Sequence, residues 1–275
     1  MTLRWFIPSL ATALLPGCTV RSPPQSRTPT HTEESSQNAP DWWRQDVPFV
    51  LPRGERAPQE WYQEQLRESA HIVEKFADEH GWRDKLDVYW RDGVEIFATQ
   101  RELWARILEL SSMPATTPPP TAGLSAALEH RRLLAISPEE YARVRPLYAD
   151  VEGSYARLLA HEIAHRLHVE VLGGDEDAMG PMWFFEGFAV VASGDLLGME
   201  VASAENVWSF TEARGEGAYA KFAAALRYFS QHCAPLPELV NNAKRADFTE
   251  WLGARCRDRS DDRGDDRGDD RGDVD

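Results

Sequence analysis

Basic charge, cysteine and long apolar runs are all scarce in this 275-residue chain, and each shortage closes off a class of function. Lys and Arg number 30 against 45 Asp and Glu, a formal net charge of -15. Nucleic-acid binding needs a basic face to neutralise phosphates, so no nucleic acid is expected as a partner. Nine Asp against four Arg place -5 of that charge in residues 258–275, which leaves -10 on the rest of the chain. The apolar stretch near the start, WFIPSLATALLPGC (residues 5–18), is too short to cross a bilayer. Three cysteines are an odd number, so they cannot all pair within the chain. A core is nonetheless well supplied: hydrophobic residues make up 42%, and ten tryptophans add large apolar area.

Arg4, the apolar run and the small Gly17 before Cys18 follow one another in the order of a secretory signal. The stretch LPGC resembles a bacterial lipobox, in which cleavage precedes a cysteine whose thiol is lipidated. That resemblance implies a signal peptide over 1–18, a membrane partner reached through a lipid anchor on Cys18, and a place in the bacterial cell envelope. The other reading of this stretch is a buried N-terminal helix with a chance cysteine. With Cys18 so used, Cys233 and Cys256 remain, either paired in an oxidising compartment or left as separate thiols.

Residues 19–58 are rich in Pro, Ser, Thr and Gln without helical or strand periodicity, and they read as a flexible tether. About 40 such residues give a root-mean-square span of roughly 35 Å. A folded domain is expected over 59–257. WYQEQLRESAHIVEKFADEHG has helical spacing at Leu66, Ile72, Val73 and Phe76, with a stop at Gly81. KLDVYW and VEIFAT flank RDG and predict a hairpin. QRELWARILELS returns to helix, PATTPPPT is a loop because its prolines fix φ and remove donors, and RRLLAIS is a strand. Helical segments then run to about residue 253. The expected class is α+β, a small mixed sheet with a helix-rich C-terminal part. Residues 258–275 repeat Asp-Asp-Arg-Gly and read as a disordered tail, whose three Arg-Gly-Asp tripeptides follow from the repeat frame.

The chemistry concentrates in LLAHEIAHRLH, residues 158–168. On a helix, His161 and His165 share a face and can ligate one zinc ion from a rigid support. Glu162 projects beside that ion, where it can take a proton from water and pass it to a leaving group. Leu159, Ile163 and Leu167 form the opposite stripe, suited to the core. A catalytic zinc needs a third protein ligand, and Glu186 in MWFFEGFAVV stands in an apolar setting that a lone carboxylate tolerates poorly. Phe184, Phe185, Phe188 and Val191 would bury its helix, and Gly187 would let two helices approach closely. His168, two turns beyond His161, is read as a residue that supports the ligands from behind or lines the cleft.

HEIAHRLH followed by WFFEGFA resembles the gluzincin branch of zinc metallopeptidases, the aminopeptidase-like and bacterial MA-clan families, over residues 154–197. The resemblance implies a zincin-like fold with an active-site helix, zinc on His161, His165 and Glu186, and Glu162 as general base. It extends more weakly to GAYAKFAAALRYF, where Tyr219 becomes the candidate for stabilising the oxyanion, or a half-buried helical tyrosine without that role. The Gly-x-Met-Glu-Asn segment of the aminopeptidase branch is missing, so a peptide or protein substrate cut internally is favoured over trimming from the amino end. TAGLSAALEHRRLLAIS falls where these folds place the edge strand that pairs with extended substrate. The functional expectation is a zinc metallopeptidase held in the envelope. The alternatives are a weak or inactive scaffold of the same shape, and a metal-free structural protein.

Overall fold

The structure, a computed structural model, describes residues 47–120, 123–195, 201–215 and 217–262. The signal-peptide and Cys18-anchor expectations, most of the tether and most of the repeat tail lie outside the described residues. The first element is β1 (Phe49–Val50), inside the stretch expected to be tether, followed by α1 (Gln59–His80). Leu66, Val73 and Phe76 of α1 are buried, and Gly81, with φ 73°, ends the helix in the left-handed conformation that glycine adopts most readily. Strand β2 (Gly93–Phe97) leads to α2 (Gln100–Leu110), whose start is fixed by a capping box between Thr99 and Glu102. Strands β3 (Ala126–Glu129) and β4 (Arg132–Ile136) form a hairpin.

The sheet has the order β1-β2-β4-β3, parallel except for the antiparallel β3–β4 pair. The hairpin expected at RDG is absent. VEIF is strand β2, but Val88, Tyr89 and Trp90 of KLDVYW turn into the core without joining a ladder. Their apolar character reflects packing instead of pairing. The observed hairpin turns at His130–Arg131, both with positive φ, the geometry a two-residue loop needs to match strand twist.

Helix α3 (Pro138–Val144) precedes the long α4 (Ser154–Val171) and α5 (Met182–Ala192). Helix α4 ends where Gly173 and Gly174 take positive φ and the Gly174 N–H reaches back to the Val169 carbonyl at 2.9 Å. Then come α6 (Val207–Thr211), α7 (Ala218–His232), α8 (Leu236–Asn242) and α9 (Phe248–Asp262). Helix α9 thus takes in the first residues of the expected tail. The described chain is α+β with a small mixed sheet and mostly helical content. No helix among the described residues is long and apolar enough to cross a membrane.

Leu159, Ile163 and Leu167 of α4 are at most 1% exposed, and Phe184 and Phe188 of α5 are fully buried, while Phe185 and Val191 are half-buried. Helix α5 packs against both α4 and α7. Cys233 at the end of α7 is disulfide-bonded to Cys256 in α9.

Candidate metal centre

Two helices bring three ligand-type side chains to one point. On α4, the four-residue spacing sets the His161 and His165 Nε2 atoms 3.1 Å apart. From α5, Glu186 Oε2 lies 3.2 Å from the first and 3.5 Å from the second. The ring planes of the two histidines are nearly perpendicular, 86° apart, so their Nε2 atoms aim at a common spot instead of stacking. Glu186 Oε2 is buried and receives no well-directed hydrogen bond. A buried carboxylate oxygen without a donor is costly unless something else satisfies it. This cluster could hold a metal ion, and it is the one such group of three or more among the described residues.

The electrostatics follow from that crowding. Burial alone would raise the Glu186 carboxyl, but the His161 and His165 imidazoles beside it pull it down to about 2. Burial works against protonation of His161, yet the Glu186 carboxylate raises it; for His165 burial prevails and lowers it. Glu162 is pushed up to about 7, chiefly by burial, with His161 opposing and the charges of Glu186 and Glu129 adding to the rise. Tyr219, the second residue of α7, lies with its ring nearly parallel to that of His161, 6.1 Å between centroids. Burial of its hydroxyl, then the carboxylates of Glu186 and Glu162, drive its pKa up. The residue remains 46% exposed overall, so its ring edge faces solvent while its hydroxyl meets the acidic groups.

His168 does not line the cleft. It is 0% exposed, stacked 4.3 Å from Phe188 at 18°, and burial lowers it to about 3. The α5 phenylalanines close over that turn of α4 and turn the imidazole into a neutral aromatic core residue. Gly187 also differs from expectation, because its close approach is to α7 and not to α4. A Cβ there would stand 2.7 Å from the Phe222 carbonyl oxygen. Strand β3 is the sheet's edge, but Ala126 and Leu128 are 2% and 6% exposed, and Arg166 Nη2 donates to the Leu128 carbonyl at 3.0 Å. Arg166 thus occupies one outward carbonyl of this edge, which an incoming strand would have to take over.

One acidic residue near the centre carried no motif. Glu129 ends β3, is 4% exposed, and reaches Glu162 electrostatically. Its only signal in the sequence is a carboxylate closing the apolar run SAAL. Asp195 and Arg145, whose charges act on His161 and Tyr219 respectively, were equally silent. Two cavities of about 260 and 240 Å³ lie close by, neither lined by the three ligand residues. Comparisons with protein-family models, with curated proteins and with solved structures give no match to this chain.

Proposed function

We propose that the chain is a zinc-dependent peptidase that hydrolyses peptide bonds within a peptide or protein substrate. The observation that carries the reading is the triangle of His161 Nε2, His165 Nε2 and Glu186 Oε2, with sides of 3.1, 3.2 and 3.5 Å. Ligands held tetrahedrally at zinc's usual distance of ~2.0–2.1 Å stand about 3.3–3.4 Å from one another, so the donor set and its size both fit zinc. Three protein ligands leave a fourth position open, as catalytic sites require. Bound there, zinc supplies a Lewis acid that polarises a carbonyl and makes water acidic enough to attack it.

The chain's own groups do the rest of the work. Glu162, next to His161 and half-buried, takes a proton on its carboxylate and gives it to the departing amine nitrogen. The Tyr219 hydroxyl, held in its neutral form, donates a hydrogen bond where negative charge develops on the carbonyl oxygen. Ligation demands neutral imidazoles and an ionised carboxylate; the lowered His165 and Glu186 already favour those states, and a bound ion would displace the proton that the Glu186 carboxylate favours on His161. Internal cleavage is favoured over removal of N-terminal residues because the sequence lacks the Gly-x-Met-Glu-Asn segment. Attachment to the bacterial envelope through Cys18 belongs to the same proposal and rests on the sequence pattern alone.

The test combines elemental analysis of the purified chain with cleavage profiling of a proteome-derived peptide library. About one zinc per chain and chelator-sensitive cleavage are expected. Glu162→Gln keeps the zinc and loses at least about a hundredfold in rate. Retained zinc with no turnover on any peptide would point to a binding scaffold, and no metal at all would remove the reading.

A further inference from the structure

The cavity of about 240 Å³ beside β3 is lined by carboxylates and guanidiniums, and most of these cancel locally. Arg91 pairs with Asp87, Arg166 pairs with Glu176 at 2.5 Å, and Arg131 turns to Asp92 at 2.7 Å. Two lining carboxylates, Glu129 and Glu170, have neither an ion pair nor a hydrogen bond among the described residues. Glu170 is exposed, so water satisfies it. Glu129 is 4% exposed, and a buried carboxylate with no partner is unfavourable unless it is protonated or meets a cation. Burial raises its carboxyl to about 7 even with Arg166 nearby, so Arg166 does not discharge that penalty.

The position of the cavity gives the missing partner a role. Glu162, Arg166 and Glu170 follow one another at four-residue intervals along α4, so they form one stripe on that helix. Glu129 is close enough to that stripe for its charge to act on Glu162. The cavity is lined by Glu129 and by Arg166 and Glu170 of that stripe, so it lies against the same side of α4. A side chain with a terminal positive charge matches that lining.

We propose that this cavity is a specificity pocket for a lysine or arginine side chain of the substrate, with Glu129 as the residue that receives its charge. The inference rests on the peptidase reading and adds the substrate class to it. A charge-assisted hydrogen bond from ammonium or guanidinium to Glu129 would satisfy the one buried carboxylate of the cavity that has no donor. Glu170, exposed on the same stripe, would add to the attraction for a cation.

The test uses the full chain with its zinc and N-terminally acetylated, internally quenched peptides. Lysine is compared with norleucine, and arginine with neutral citrulline, at each position around the scissile bond. At one position the basic residue is expected to raise kcat/KM about tenfold or more. In Glu129→Gln that ratio falls to near one. The citrulline comparison makes the same point without altering the protein. An absent preference, a preference that survives in Glu129→Gln, or one that follows a free N-terminal amine instead would overturn the proposal. Should the wild type cleave nothing, the peptidase reading fails separately. Fluorescence anisotropy then decides the pocket: labelled lysine peptide is expected to bind wild type about tenfold more tightly than Glu129→Gln, and equal binding refutes it.

Discussion

Gly187→Ala puts one methyl group where α5 meets α7, and its effect can be worked out from the coordinates. The new Cβ would lie 2.7 Å from the Phe222 carbonyl oxygen, 3.0 Å from its carbon and 3.4 Å from the Ala223 nitrogen. All three are backbone atoms, so no side chain can swing aside. Reaching ordinary contact requires α7 to move by ~0.8 Å, given optimal separations near 3.5 Å. Overpacking of that kind typically destabilises by about 1–3 kcal/mol, partly offset by alanine's helix preference of roughly 1 kcal/mol. A net loss of about 1 kcal/mol lowers the melting temperature by ~2–4 °C in a domain of this size. Helix α7 carries Tyr219 one turn before Phe222, so the proposed hydrolysis should fall as well. Gly253→Ala is the control: it is also helical, its nearest neighbours are at 3.6 and 3.9 Å, and it should stabilise by about 0.5–1 kcal/mol. Thermal melts of both variants by circular dichroism provide the comparison. A Gly187→Ala protein that melts at or above the wild-type temperature would refute the packing argument.

Three further outcomes are expected. Reducing the Cys233–Cys256 bond, which closes a 23-residue separation, should lower stability by about 3 kcal/mol on the loop-entropy relation, seen as a melting shift of ~6–12 °C with reductant. Because Glu129 binds its proton more tightly when folded, stability should be full below about pH 4.5 and decline as pH climbs toward 7, by about 3 kcal/mol in all. Glu129→Gln should flatten that slope and melt higher than wild type at pH 8, and denaturant titrations across pH would show whether it does. Chelation should lower the melting temperature by ~5–11 °C when the free ion stands at a hundred times its Kd, whereas Glu186→Gln should show a much smaller response; equal responses would count against Glu186 as a ligand.

The features that could be read from the sequence are those with short-range causes. Helix α4 declared itself through the leucine–isoleucine stripe and the paired histidines, α5 through its aromatic run, and α2 through its helical spacing. Long-range choices were hidden. Two residues of β1 pair with β2 by virtue of register alone, and a segment that short has no period to detect. KLDVYW alternates like a strand, yet Val88, Tyr89 and Trp90 are buried in the core and join no ladder. His168 shares its helical face with His161, and only the docking of Phe188 decides that it lies in the core. For the same reason the direction of Gly187 was open: the residue type announced a close approach, and the identity of the approaching helix came from the tertiary arrangement.

Residues 161–186 contain the whole ligand cluster, so the loop that must close to assemble it is short. The entropy of bringing α5 back to α4 is correspondingly small. A divalent ion present during refolding can be captured first by the histidine pair of α4 and then draw the glutamate helix onto it. Such an ion would speed the search for the native state as well as stabilise its end point, so refolding in metal-supplemented buffer should outpace refolding in chelator.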